Sequence, residues 1–400
     1  PDRVDAVVTN ADPGSDSQRA PVTTVRTNVS ERPFIVDTIR EFLHSQQLSI
    51  SQIVYPLIET DRDEHGVLVA VHPPGDGATI VTDRDKFLAE SDMVLRIRMP
   101  PKEEVAKLKK GAIHVSYLDP FNEHEMVDQF VSCGISTIAM EMIPRTTLAQ
   151  KMDALSSQAN IAGYEAVLMA ASKLGQVLPM MMTPAGTLKP ARVFIIGVGV
   201  AGLQAIATAK RLGARVTAFD VRPEALEQAE SLGAKALRID LGGDTGGTDQ
   251  GYAKELTPEQ LEKQRQAQGK VCIDSDVVIT TAKVFGRKSP ILVKQDVVDR
   301  MKPGSLIIDL AAEAGGNVEG TVLDEEVVAK GGACIVGLSN FEGRAPTHSS
   351  QVFSANLGNF LEHFWDKEEN CLKFDLEDEI LKGCVLTHSG EIVHERFKDA

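Results

Sequence analysis

The sequence predicts an α/β protein in which two lobes, each with a parallel sheet, are linked by long helices. Three observations carry this reading. The 400 residues exceed what one ordinary hydrophobic core organises. Apolar runs of strand length alternate with amphipathic runs of helix length across residues 78–140, and the alternation resumes across 192–340. Within the second region Arg192 to Asp220 reads RVFIIGVGVAGLQAIATAKRLGARVTAFD: a β-run, a glycine turn, a helical run, a second β-run and an acid. That order opens a Rossmann-like sheet, and both lobes are expected to be Rossmann-like.

Taken in order, residues 1–21 are polar, rich in Asp, Ser and Pro, and are expected to form a disordered arm. Residues 22–76 read as a small βαββ module. TTVRTNV is a strand, RPFIVDTIREFLHSQQ an amphipathic helix, and ISQIVYPLIET and GVLVAVH are strands turning through DRDEHG. The breakers Pro73-Pro74-Gly75-Asp76-Gly77 end it.

The first lobe, 77–160, carries strands ATIV, MVLRIRM, AIHVSYL and STIAME, with helical DRDKFLAES, KEEVAKLKK and NEHEMVDQFVSCG between them. A long helix, about 147–178, leads out of it to Met180-Met181-Met182, whose three flexible side chains read as core or interface packing. The second lobe, 161–345, holds the glycine turn and later strands VVITTA, SLIIDLA and CIVGL. A helix at about 349–364 returns the chain so that 346–400 complete the first lobe. The hairpin-like CVLTHSGEIVH follows, with His388 and His394 expected to face solvent.

Composition excludes several functions. A formal charge of −15 with no basic run opposes general affinity for nucleic acid or anionic membrane. The five cysteines, at 133, 272, 334, 371 and 384, lack CxxC spacing and read as reduced core filler rather than a disulfide frame or zinc site. The apolar stretch Val193 to Ala209 is interrupted by the glycine turn and Gln204 and is too short to insert in a bilayer. With no secretory pattern at the N-terminus, a soluble cytoplasmic protein is expected.

Gly197, Gly199 and Gly202 fit GxGxxG. The first permits a tight turn, the second lets backbone approach a pyrophosphate, and the third lets helix and strand pack closely. The helix N-terminus then faces the anion with unpaired N–H groups. Asp220 can accept the adenosine ribose hydroxyls and repel a 2′-phosphate, which predicts preference for NAD(H) over NADP(H). The competing reading is a βαβ unit whose glycines serve packing alone.

PRTTLAQKMDALSSQANIAGYEAV, MMTPAGTLKPARVFIIGVGVAGLQAIATAKRLGARVTAFDVRPE, QGYAKE, VITTA and MKPGSLIIDLAAEAGGN together resemble the NAD(H)-binding subunits of proton-translocating nicotinamide nucleotide transhydrogenases, over about residues 77–400. The resemblance implies direct hydride transfer between NADH and NADP+ held on a partner, with no acid, base, nucleophile or metal on this chain. It also implies a homodimer, and partner subunits that bind NADP(H), span the inner (plasma) membrane, conduct protons and hold this chain peripherally. Arg145, Gln150, Asp153 and Ser156 match the family's polar loop over the nicotinamide, although helix capping explains such residues equally. Val200, Val221 and Arg222 belong to the adenosine and phosphate wall, and Thr281, Ala282 and Lys283 border a ribose, with Lys283 acting through backbone. GGDTGGTDQGYAK, with Gly251 and Tyr252, matches a mobile lid. KVFGRKSP departs from the family's more apolar turn.

Alanine dehydrogenases, relatives of that family, are the alternative. They require a cleft His and Lys, where this sequence has Asp119 and the pair Arg96 and Arg98. A non-catalytic NAD-binding regulator is the other. The family's Val-Pro-Lys-Glu opening is missing before residue 77. VRTNVSERPFIVDTIREFLHSQQLSISQIVYPLI instead resembles the ACT-like N-terminal region of large NAD-dependent glutamate dehydrogenases, either a genuine fusion or a join of unrelated frames.

Overall fold

The computed structural model describes residues 5–10, 23–28, 59–62, 68–72, 83–240, 242, 257–366, 368 and 371–398. The chain divides into two units between residues 82 and 83. In the first, strands β1 (Asp5–Asn10) and β2 (Thr23–Asn28) pair antiparallel with Asp5 opposite Asn28. Strands β3 (Glu59–Arg62) and β4 (Leu68–His72) form a second antiparallel pair. Residues 5–10 therefore do not belong to a disordered arm. Val7, Val8 and Thr9 are β-branched, and pairing with β2 satisfies a backbone that polar neighbours alone leave without partners. The helix expected at 32–47 lies outside the described residues.

The second unit opens with α1 (Arg84–Glu90), β5 (Met93–Leu95), α2 (Lys102–Val105), β6 (Ile113–Ser116), α3 (His124–Cys133) and β7 (Ser136–Ala139). Asp83 caps α1 by accepting from the Lys86 N–H, and Gly134 ends α3 in the left-handed conformation at φ +68°. The helix expected at 147–178 is shorter: a 3-10 turn at Ala149–Met152 precedes α4 (Ala154–Lys173). Asp153 sets that boundary by capping α4. Strands β8 (Met181–Thr183) and β9 (Gly186–Leu188) form a hairpin on which Met182 is 84% exposed, so the methionine run is not core of this chain.

Next come β10 (Arg192–Ile196), α5 (Val200–Arg211), β11 (Arg215–Phe219), α6 (Pro223–Ser231), β12 (Lys235–Ala236), α7 (Pro258–Asp274), β13 (Val277–Thr280), α8 (Gln295–Val298), β14 (Leu306–Asp309), β15 (Glu326–Val328) and β16 (Cys334–Val336). The chain returns through α9 (Pro346–Phe364), β17 (Trp365–Asp366), β18 (Cys371–Leu372), α10 (Glu379–Cys384) and the hairpin β19 (Val385–His388) and β20 (Glu391–Ile392).

One sheet has the order β20-β19-β7-β6-β5, in which β5, β6 and β7 are parallel and β19 joins β7 antiparallel. The other has the order β12-β11-β10-β13-β14-β16-β15, parallel except for β15. Its strands are apolar throughout because both faces are covered. Val193 and Ile195 point into one core with Val277, Ile279, Leu306 and Ile308, while Phe194 and Ile196 point into another with Val278 and Ile307. The first sheet's core gathers Val115, Phe130 and Ile138 with Phe353, Phe360 and Phe364 of α9.

His388 and His394 are not solvent-facing. The His388 ring stacks on Phe374 at 4.8 Å and its Nδ1 lies 3.0 Å from Ser136 Oγ. His394 is buried, with Nε2 3.1 Å from the Gly383 carbonyl. The hairpin is held against the sheet rather than free at its edge. Cys272 and Cys384 are buried, and burial pushes the Cys272 thiol up to about 12, but Cys371 is exposed and fills no core.

His114 of β6 is 1% exposed, lies against Phe130 at 5.3 Å, and has Nε2 3.1 Å from Ser116 Oγ. Burial, with nearby Arg96 second, lowers its pKa to about 4. Between pH 4 and 6.5 the unfolded chain binds a proton at this residue that the folded chain does not, so acid destabilises the fold. The contribution is complete above pH 6.5 and lost as pH falls to 4, up to about 3 kcal/mol. Denaturant unfolding of His114→Gln at pH 5 and pH 7 should show a shallower pH slope than the parent. Equal slopes would contradict this assignment.

Candidate nucleotide site

The site forms where strand order reverses, between β10 and β13, at their C-terminal ends. Gly197 leaves β10 at φ +95°, and a Cβ there would meet Thr281 Oγ1 at 2.5 Å. Thr281 Oγ1 donates to the Gly197 carbonyl at 2.9 Å, which ties the turn to the end of β13. A Cβ on Gly202 would lie 2.0 Å from the Gly197 carbonyl oxygen, so only glycine lets α5 pack this close. At Gly199 a Cβ would meet nothing within 4 Å. That open space lies at the N-terminus of α5, whose first N–H groups, beginning at Val200, have no partners within the helix. These residues fit a pyrophosphate: a backbone concavity, unpaired donors and the positive end of a helix.

Asp220 follows β11 and is 7% exposed. Its Oδ2 accepts from the Val198 N–H at 2.7 Å, which fixes the acid to the glycine turn. Arg222 occupies the rest of the carboxylate: its N–H and Nε donate to Oδ1, both at 2.9 Å, and Nη2 donates to Oδ2 at 3.0 Å. The carboxylate holds the guanidinium above its ordinary pKa. Beside the pair lies a cavity of about 140 Å³ lined by Phe219, Val221, Pro223, Leu226, Arg238 and Ile239 together with Asp220. Its apolar walls suit one face of an aromatic base.

Thr281 and Ala282 lie at the end of β13, and the Lys283 side chain is exposed while its N–H donates to the Thr281 carbonyl at 3.0 Å. Two residues that the sequence reading does not single out hold this segment. Asn317 accepts from the Ala282 N–H at 3.0 Å and donates to the Ala282 and Pro290 carbonyls at 2.8 and 2.9 Å. Asp309, fully buried at the end of β14, accepts from the Asn317 N–H at 2.8 Å and from four further donors. SLIID ends an apolar run in an acid just as VTAFD does, so Asp309 carries a readable signal; Asn317 carries none.

Arg145, Gln150, Asp153 and Ser156 gather at the N-terminus of α4. Asp153 Oδ1 accepts from the Ser156 N–H at 2.9 Å and Oδ2 from Ser156 Oγ at 2.5 Å, while Arg145 Nε lies 3.8 Å from Oδ2. The capping role expected of such residues is realised here, and Gln150 is exposed on the preceding 3-10 turn. α4 crosses α5 at Gly163, where a Cβ would lie 2.1 Å from the Ala201 carbonyl oxygen. A helix rise of about 1.5 Å per residue sets the polar cluster about 15 Å along α4 from that crossing. Gly251 and Tyr252 lie outside the described residues.

The positions relevant to amino-acid oxidation are otherwise engaged. Arg96 pairs with Glu104, which Arg84 also binds at 2.6 Å; these guanidiniums, Arg84 first, lower the Glu104 pKa to about 2. Asp119 sits at φ +45°, its N–H and that of Leu118 bound by buried Glu141 at 2.6 and 2.7 Å. Burial raises the Glu141 pKa.

The family model for the alanine dehydrogenase/PNT C-terminal domain matches residues 166–395, and that for the N-terminal domain matches 75–162. The glutamate dehydrogenase ACT1 domain model matches 1–112, a wider span than the 22–75 read from sequence. Over 326 residues the chain is 45% identical to an NAD(P) transhydrogenase subunit alpha chain of Rhodospirillum rubrum, covering 80% of this chain and 84% of that one. The crystal structure of transhydrogenase from Sinorhizobium meliloti is 40% identical with a TM-score of 0.66, covering 78% of this chain and 82% of that one. Alanine dehydrogenase 2 of Staphylococcus aureus is 29% identical over 302 residues, 74% of each chain. The chain thus belongs to the alanine dehydrogenase/PNT family, among the NAD(P) transhydrogenase alpha subunits.

Proposed function

We propose that this chain is the NAD(H)-binding component of a proton-translocating NAD(P) transhydrogenase, passing hydride between NADH and NADP+ held on a partner subunit. The observation that carries this is Asp220 tied by the Val198 N–H to a glycine turn whose middle glycine faces open space. Bound NADH supplies the hydride. The chain's own work is binding and orientation. The N-terminus of α5 meets the pyrophosphate, Asp220 takes the ribose hydroxyls, and Val221 and Arg222 border the adenosine. Thr281, Ala282 and Lys283 border a ribose. Arg145, Gln150, Asp153 and Ser156 orient the nicotinamide end, and Gly251 and Tyr252 belong to a lid that excludes water.

Among the described residues no helix is long and apolar enough to cross a membrane. The alpha-subunit relatives support partners that bind NADP(H) and span the membrane, with this chain peripheral to the membrane on the cytoplasmic side and dimeric. The lobes are assigned to 77–160 with 346–400, and to 161–345, with 22–76 as the added module. Mixing the chain with an NADP-binding transhydrogenase component should produce hydride transfer to an NAD analogue. Asp220→Ala should weaken NADH binding at least about tenfold, through loss of charge-assisted hydrogen bonds. Turnover with NAD and alanine, or tight NADPH uptake with none for NADH, would overturn the proposal.

A further inference from the structure

The ribose carboxylate is already saturated. A carboxylate offers about four lone-pair sites, and on Asp220 they are taken by the N–H groups of Val198 and Arg222 and by Nε and Nη2 of Arg222. The two backbone donors are fixed by the fold; the two guanidinium donors are on a side chain that can rotate. Nη2 also reaches the Val198 carbonyl at 3.3 Å, so the guanidinium bridges the acid and the glycine turn. The Arg222 side chain is 15% exposed, so its pairing with Asp220 is shielded from solvent and salt.

We infer that Arg222 is a displaceable internal ligand of Asp220: it holds the ribose subsite closed, must swing away for a dinucleotide to bind, and sets discrimination between NAD(H) and NADP(H). This rests on the function proposed above. Two consequences follow from charge. While Arg222 stays paired, the subsite carries close to zero net charge, and a 2′-phosphate meets less repulsion than a bare carboxylate exerts. Once released, the guanidinium is itself a planar partner for a phosphate. Arg222 therefore weakens NADH binding and narrows the gap to NADPH.

The test is calorimetric or fluorescence titration of the full chain with NADH and with NADPH. Arg222→Ala should bind NADH about fivefold more tightly, the worth of hydrogen bonds the ribose no longer breaks. It should bind NADPH no better, so that the ratio of the two constants widens. Arg222→Lys, with one ammonium for two oxygens, should fall between Arg222→Ala and the parent. In the Asp220→Ala background, removing Arg222 should tighten nothing, because the paired group is gone. A variant that misfolds loses affinity, the opposite sign, and a thermal melt identifies it. Unchanged or weaker NADH binding by well-folded Arg222→Ala, or tightening that persists without Asp220, overturns the inference while leaving the nucleotide site standing. If the parent binds neither dinucleotide, both fall.

Discussion

Asp309→Ala should destabilise the chain by about 3–5 kcal/mol, the cost of stripping a fully buried acceptor from its donors. The carboxylate receives Thr280 Oγ1 at 2.9 Å, Thr321 Oγ1 at 2.8 Å, and the N–H groups of Ala311, Asn317 and Val318 at 3.0, 2.8 and 3.2 Å. Removing it leaves backbone donors buried where water cannot replace the lost partner. The damage should reach the nucleotide site, because Asn317, released from Asp309, is what ties Ala282 and Pro290 in place. Asp309→Asn keeps the volume but points an amide N–H₂ at donors, and should cost roughly 2–3 kcal/mol. Guanidinium unfolding midpoints for the three proteins decide the matter. A loss below about 1 kcal/mol for Asp309→Ala would show that the loop re-forms its bonds elsewhere.

The two glycines at the head of α5 should separate binding from stability. Gly202→Ala sets a methyl 2.0 Å from the Gly197 carbonyl oxygen, which Thr281 Oγ1 also holds, so the helix must lift from the turn. A loss of about 3 kcal/mol or more is expected, since the obstacle is backbone and cannot rotate aside. Gly199→Ala meets nothing within 4 Å and keeps an ordinary φ of −84°. Its stability should change by only a few tenths of a kcal/mol, as for glycine and alanine at a helix N-cap. NADH affinity should nonetheless fall at least about tenfold, because the methyl fills the space a phosphate needs against the helix N–H groups. Thermal melts and NADH titrations of both variants test this contrast. If Gly199→Ala binds NADH like the parent, the pyrophosphate does not lie there.

Legibility follows the range of the interactions. β10, β13 and β14 are readable because burial on both faces demands an unbroken apolar run, and the glycine turn because its residues are neighbours in sequence. The start of α7 is equally local: Thr257, Pro258 and Gln260 form a capping box with both reciprocal hydrogen bonds present. The strand at 5–10 escapes a reading of composition because its stability comes from pairing with residues 23–28 rather than from its own residues. His394 defies the hairpin pattern because its carbonyl partner is on α10, and Met182 because nothing in a run of methionines says which side of a hairpin faces solvent.

By itself the amino-acid order determined an α/β architecture with a dinucleotide turn and an acid at the following strand end, since periodicity, φ tolerance and strand-end position are local properties. Tertiary structure alone decided that Asn317 would brace the ribose border across 35 positions of chain, that β19 would join β7, and that Arg222 would close upon Asp220. The physical reason is that a polar side chain's partner depends on which distant elements the packed sheets bring within about 3 Å, a distance that no sequence spacing encodes.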